Sequence, residues 1–175
     1  MRGYFGIGVE GLSKAINAGN LFRSAHAFGA SFAFAIGGTW SRQESKLADT
    51  SDSPAQVPFY RFSGVDDMQL PLGCELVGIE LLDSAVELPS FRHPRSAAYV
   101  LGPERGSLSP ALVERCKYVV KIPTSFCINV SVAGAIVMYD RLINLGRFPA
   151  RPLHPKGKPE PVPKHVQGRP LFRHD

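Results

Sequence analysis

The chain has 175 residues, 44% of them hydrophobic, with twenty Lys/Arg against fifteen Asp/Glu for a net charge of +5. That size and content suit one domain with a single core. No apolar run reaches membrane-span length and the N-terminus lacks the basic and apolar regions of a secretory leader, so a cytoplasmic protein is expected. The three cysteines, Cys74, Cys116 and Cys127, are odd in number and widely spaced, with no Cys-x-x-Cys and no histidine cluster, and they support neither a disulfide framework nor a metal site.

The charge is unevenly placed. Residues 1–146 hold thirteen basic and thirteen acidic side chains, whereas 147–175 hold seven basic against two acidic together with seven of the fifteen prolines. Two parts follow: a neutral body over 1–146 and an extended, irregular tail over 147–175. A basic, proline-rich tail suits a polyanion such as RNA, where each phosphate contact releases counterions. It suits equally a solvated tail that aids solubility.

Residues 2–9 read as a first strand. They carry Gly6-x-Gly8-x-x-Gly11, which matches a dinucleotide fingerprint only as a bare pattern, since too few residues precede Gly6 and no acid follows Glu10 until Glu44. Asn20 reads as a helix N-cap, with Leu21, Ala25 and Phe28 on one inward face and Arg23 in the first turn, where a phosphate is one ligand for it and solvent the other. Phe32–Ile36 is a second strand. A polar loop follows over 41–57, with a helical turn expected at Glu44–Ala48. Strands are then expected at Val57–Phe62 and Glu75–Leu82, with a short helix at Val65–Leu70 between them and a connecting stretch over Ser84–Arg95 behind them.

The stretch Tyr99–Asp140 is the one around which the rest is organised. A strand ending at Leu101 runs into Gly102-Pro-Glu-Arg-Gly106. A short helix at Pro110–Cys116 and a strand at Tyr118–Ile122 follow, then the turn Pro123–Asn129 and an almost wholly apolar helix to Leu145. Turns at strand ends that feed helices are where alternating α/β chains bind ligands, and the repeated strand-then-helix order predicts a parallel sheet covered on both faces. A helix apolar on most sides must be buried all round, and a second copy of the chain, or this copy alone, would cover it. The Ala133-Gly-Ala135 run would let another backbone come close.

Three blocks, in order over residues 17–140, resemble the SpoU-type RNA ribose 2′-O-methyltransferases of the SPOUT superfamily. They are Asn17-x-Gly-Asn20-x-x-Arg23-Ser-Ala-x-x-Phe-Gly29, then Val100-Leu-Gly-Pro-Glu104-Arg-Gly106, then Ile122-Pro123 with Asn129-Val-Ser131-Val-Ala133. The resemblance implies an α/β fold with a C-terminal trefoil knot that holds S-adenosylmethionine, a homodimer, and methyl transfer to a 2′-hydroxyl of tRNA or rRNA. It implies a cofactor pocket at Gly78, Ile79, Gly102, Ile122, Cys127 and Ile128. Arg23 would engage the target phosphate and ribose, with Asn17, Asn20, Glu104 and Asn129 orienting the reactants. RNA contacts would come from the body or the tail.

This chain departs from the family pattern at three places. Ala15 and Ile16 stand where a proline is usual before the first asparagine, Pro103 stands where a small residue is usual, and Cys127 replaces the serine of Ser-Leu-Asn. A thiol is the weaker hydrogen-bond donor. Two other readings therefore stay open: a knotted RNA-binding protein that holds the cofactor with little turnover, and a nucleotide-binding oxidoreductase built on Gly6–Gly11.

Overall fold

A computed structural model of the protein describes residues 3–39, 56–146 and 148–161. The expected turn at Glu44–Ala48 lies outside them. Seven strands form one sheet: β1 (Tyr4–Glu10), β2 (Phe32–Ile36), β3 (Phe59–Phe62), β4 (Glu75–Ile79), β5 (Val86–Glu87), β6 (Ser96–Leu101) and β7 (Tyr118–Lys121). Their spatial order is β3-β2-β1-β6-β4-β7-β5, and every pairing is parallel. Among the described residues three α-helices connect them: α1 (Ala15–Ala27), α2 (Pro110–Arg115) and α3 (Val130–Leu145). A 3-10 turn at Leu88–Ser90 and the two-residue β5 fall where the sequence reads only as connection.

Both sheet faces are covered, as a parallel sheet requires. One face sends Phe5, Ile7, Val77, Tyr99 and Leu101 into a core closed by α1 and α3 through Leu21, Ala25, Val137 and Met138. The other sends Phe32, Phe34, Leu76 and Val100 against Leu112 of α2 and Met68 of the 63–74 segment. Residues 65–68 form a turn, with Met68 N donating to Val65 O, and no helix forms over the expected Val65–Leu70. Six residues ahead of a proline are too few for a stable helix. Arg115 holds this turn instead, donating to the carbonyls of Val65 and Met68.

The glycines of the first strand have a packing role. Gly6 and Gly8 pair with Phe32 and Phe34 on the neighbouring strand. A Cβ at Gly8 would lie 2.5 Å from the Phe34 ring, and one at Gly6 would strike the Phe32 ring. They sit in mid-strand and not in the turn that a dinucleotide fingerprint needs, so nothing in their placement favours the oxidoreductase reading.

Gly134 also serves a contact within the chain: a Cβ there would collide with Leu21 of α1. The close approach that the small residues permit is thus α3 to α1. The helix is not buried all round in one copy, because Val132 (50%), Ile136, Tyr139 (51%) and Ile143 leave an apolar stripe in solvent. Residues 148–161 contain no helix or strand and are almost wholly exposed.

Candidate active site

The strand order changes direction between β1 and β6. β1 leads through α1 to β2 on one side, while β6 leads through α2 to β7 on the other. Crevices outside the carboxyl ends of strands at such a switch are the usual ligand sites of open α/β sheets. A cleft of about 380 Å³ lies there, lined by Ile79–Leu81 after β4, Leu101–Glu104 and Gly106 after β6, and Ile122, Thr124 and Cys127–Val130 after β7. Lys14 and Asn17 at the start of α1 and Ala133 of α3 complete it.

Glu104 is its most connected polar group. Its carboxylate accepts from Ser13 N (3.3 Å), Ser13 Oγ (3.3 Å), Lys14 N (3.1 Å) and Asn17 Nδ2 (2.9 Å). Burial alone would raise its pKa; the donations from Asn17 and from backbone amides outweigh that and hold the carboxyl below its ordinary value. The same contacts explain where α1 begins. The helix starts at Ala15, its N-cap Lys14 makes no side-chain capping bond, and an anion from a loop ninety residues away takes that place. Asn20 is therefore an interior helical residue and not the N-cap, and Arg23 lies in the third turn and not the first.

Asn17 extends the network. Its Oδ1 accepts from Asn129 Nδ2 at 3.0 Å, and Asn129 Oδ1 in turn caps α3 by accepting from Ser131 N (2.9 Å) and Ser131 Oγ (2.6 Å). One hydrogen-bonded chain thus runs from the glycine loop through α1 to α3. Of the five residues expected to take part in catalysis, it joins Asn17, Glu104 and Asn129.

Arg23 and Asn20 do not line the cleft. With Ile16 they follow i, i+4, i+7 spacing along the outer face of α1. They border a shallow groove shared with Ser131, Val132, Ala135, Ile136 and Tyr139 of α3. The helical period is the reason: Arg23 is six residues from Asn17, which turns it about 120° away around α1. Of the six residues expected around the cofactor, Ile79, Gly102, Ile122, Cys127 and Ile128 line the cleft. Gly78 does not; a Cβ there would point at Cys116 Sγ (3.0 Å) and Leu108 Cδ1 (3.1 Å) on the far face of the sheet.

Two acids missing from the sequence-based set hold the glycine loop. Glu80, just after β4, accepts from Leu81 N (2.9 Å) and Leu108 N (2.7 Å). Glu10, the last residue of β1, accepts from Ser109 N (2.7 Å) and Ser109 Oγ (2.5 Å), while Ser109 caps α2. Gly102 packs tightly beneath: a Cβ there would lie 3.1 Å from Leu108 N and 3.5 Å from Glu80 Oε2. The available signal was an acid closing an apolar strand, Val9-Glu10 and Ile79-Glu80, in a parallel sheet.

A parallel α/β sheet with a ligand cleft across three consecutive strand-end loops defines the class of the protein. The chain belongs to the SpoU rRNA Methylase family, whose model matches residues 5–139.

Solved structures of the same fold include an rRNA methyltransferase from Sinorhizobium meliloti, with 22% identity and a TM-score of 0.75 over 83% of this chain and 58% of that one. The SpoU methyltransferase AviRb from Streptomyces viridochromogenes, in complex with the cofactor AdoMet, has 19% identity and a TM-score of 0.70 over 82% and 61%. An RNA 2′-O ribose methyltransferase has 23% identity and a TM-score of 0.71 over 82% and 57%. The chain thus spans about three fifths of the length of these proteins. No curated protein matches the sequence. Among the described residues no helix is long and apolar enough to cross a membrane and no cluster of potential metal ligands occurs.

Proposed function

We propose that the protein transfers a methyl group from S-adenosylmethionine to a ribose 2′-hydroxyl of tRNA or rRNA in the cytoplasm. The observation that carries this reading is the Glu104–Asn17–Asn129 chain at the mouth of a strand-end cleft in a member of the SpoU family.

The cleft suits the cofactor chemically. Ile79, Leu101, Ile122 and Ile128 supply apolar walls for a purine, and the carboxylates of Glu80 and Glu104 favour a ligand that carries positive charge. S-adenosylmethionine, when bound, supplies a methyl group on a positively charged sulfur: the ribose oxygen bonds to the methyl carbon as the carbon–sulfur bond breaks, and the hydroxyl proton is released. No metal is required. The protein's part is alignment and exclusion of water, with Asn17 and Asn129 fixed in orientation by their shared hydrogen bonds. Gly102, Ile122, Cys127 and Ile128 would frame the cofactor.

We further infer a threaded C-terminal half. β7 lies between β4 and β5, which are joined directly by residues 80–85, and Glu80 N at the start of that connection donates to Val120 O of β7. This arrangement supports the trefoil knot of the family. The apolar stripe on α3 and the groove beside it support a homodimer. Arg23 and Asn20 would act from that interface, the guanidinium holding a target phosphate as a charge and not as a base.

Titration calorimetry with S-adenosylmethionine and S-adenosylhomocysteine tests the reading, followed by methyl transfer to unmodified tRNA and rRNA with Arg23→Ala as control. Binding near one site per chain with transfer lost in the variant is the expected result. Absence of binding to either compound would overturn it. The alternative of a cofactor-holding RNA binder is favoured by exposed Cys127 in place of serine in the cleft lining. Cys127→Ser distinguishes the two: a methyl transfer rate that appears only with serine favours the binder for the natural chain, and a rate already present favours the enzyme.

A further inference from the structure

We infer that the mouth of the cleft grips an unpaired RNA segment, with Phe126 stacking on a nucleobase beside the target nucleotide and Lys14 and Arg105 holding the flanking phosphates. Phe126 is 76% exposed, although it sits in the short turn between β7 and α3 whose residues Thr124, Cys127 and Ile128 line the cleft. The turn is fixed: Thr124 Oγ1 donates to Phe126 O at 2.9 Å, and Asn129 caps the helix that follows. No aromatic ring among the described residues covers the Phe126 ring.

A large apolar ring presented to solvent on such a turn offers an open face on which a base can stack. Every base offers a π-face, but in a duplex that face is occupied by its neighbours, so the fitting partner is a loop or single strand. Two cations share the rim. Lys14 lines the cleft at the start of α1, and Arg105 lies between the lining residues Glu104 and Gly106. Both are exposed, and neither takes part in an ion pair among the described residues.

The inference rests on the methyltransferase reading for its target nucleotide, yet it can fail separately. Fluorescence anisotropy with a short labelled oligoribonucleotide, single-stranded or annealed to its complement, gives the test. The wild-type chain should bind the single strand more tightly than the duplex. Phe126→Ala should weaken single-strand binding about tenfold and Phe126→Trp should restore it. Lys14→Gln and Arg105→Gln should each lower the salt slope by about 0.7.

Calorimetry with S-adenosylmethionine should give the same affinity for wild type and Phe126→Ala. Equal binding of duplex and single strand, less than a twofold effect of Phe126→Ala, or a dimer that dissociates in that variant would overturn the proposal. A wild-type chain that binds no cofactor while Phe126→Ala still loses RNA would instead remove the methyltransferase reading and leave the RNA grip standing.

Discussion

Asn17 Nδ2 lies 2.9 Å from Glu104 and donates to it, while the same side chain accepts from Asn129 through its oxygen. The amide is thereby locked in one orientation, and the two family blocks that carry Asn17 and Glu104 become one unit. Every group facing Glu104 is a donor. Glu104→Gln would turn an NH2 toward donors and leave at least one without an acceptor. About 1–3 kcal/mol of stability should be lost, a fall in Tm of about 5 °C, and cofactor binding should weaken with it. Differential scanning calorimetry beside a cofactor titration checks this; an unchanged Tm would refute the capping role. Because the folded pKa of Glu104 lies below the ordinary value of 4.5, its contribution is complete above that pH and is lost as pH falls through the lowered value.

Glu80 and Glu10 clamp adjacent residues of the glycine loop, Leu108 and Ser109, from opposite sides. Only Glu80 lines the cleft. Glu80→Gln should raise the dissociation constant for S-adenosylhomocysteine about tenfold and speed amide exchange over residues 102–108. Glu10→Gln should lower Tm and leave cofactor affinity within a factor of about two. Matching effects of the two substitutions on affinity would contradict this division.

At the opposite end of the sheet, Arg141 is fully buried and donates to Pro94 O (2.5 Å), Arg95 O (2.7 Å) and Tyr99 Oη (3.1 Å). His93 Nδ1 lies 2.6 Å from Tyr99 Oη and Nε2 lies 2.8 Å from Asp140 Oδ2, contacts that a neutral ring satisfies by accepting at Nδ1 and donating at Nε2. Burial lowers the pKa of His93 from 6.5 against the pull of Asp140, and Arg141 adds to the lowering. The unfolded chain binds this proton first, so stability is complete above pH 6.5 and declines as pH falls toward the lowered folded value. Chemical denaturation across that range should show the decline in wild type and a shallower one in His93→Gln. Parallel curves would assign the pH dependence to other groups.

The stripe Val132, Ile136, Tyr139 and Ile143 is the largest apolar feature left open on α3. A charge there would be unpaired in a dimer interface and harmless on a free surface. Ile136→Glu should convert a dimer to a folded monomer in sedimentation equilibrium, with helical circular dichroism unchanged. A wild-type chain that already sediments as a monomer would exclude this interface.

How much of this was legible in the sequence follows from the range of the interactions. The alternation of apolar strands with turns and helices placed β1, β2, β6, β7 and α3 within a residue or two, because each runs on local propensity and on burial of a continuous apolar run. The start of α1 was not legible, since its capping anion comes from Glu104. The turn at 65–68 depends in the same way on Arg115. Gly6 and Gly8 looked like a phosphate loop because their true constraint, the rings of Phe32 and Phe34, belongs to another strand.

The sequence by itself determined the family, the parallel sheet and the residue types of the cleft, for these lie in contiguous blocks whose order survives in the linear chain. Only the tertiary structure decided which of those residues meet. It drew Asn17, Glu104 and Asn129 into one hydrogen-bonded chain and turned Asn20 and Arg23 to the outer face of α1. It also set Glu10 and Glu80 against the glycine loop. The physical reason is that a hydrogen bond depends on positions in space within about 3 Å, and a parallel sheet brings strand ends together without regard to their separation along the chain.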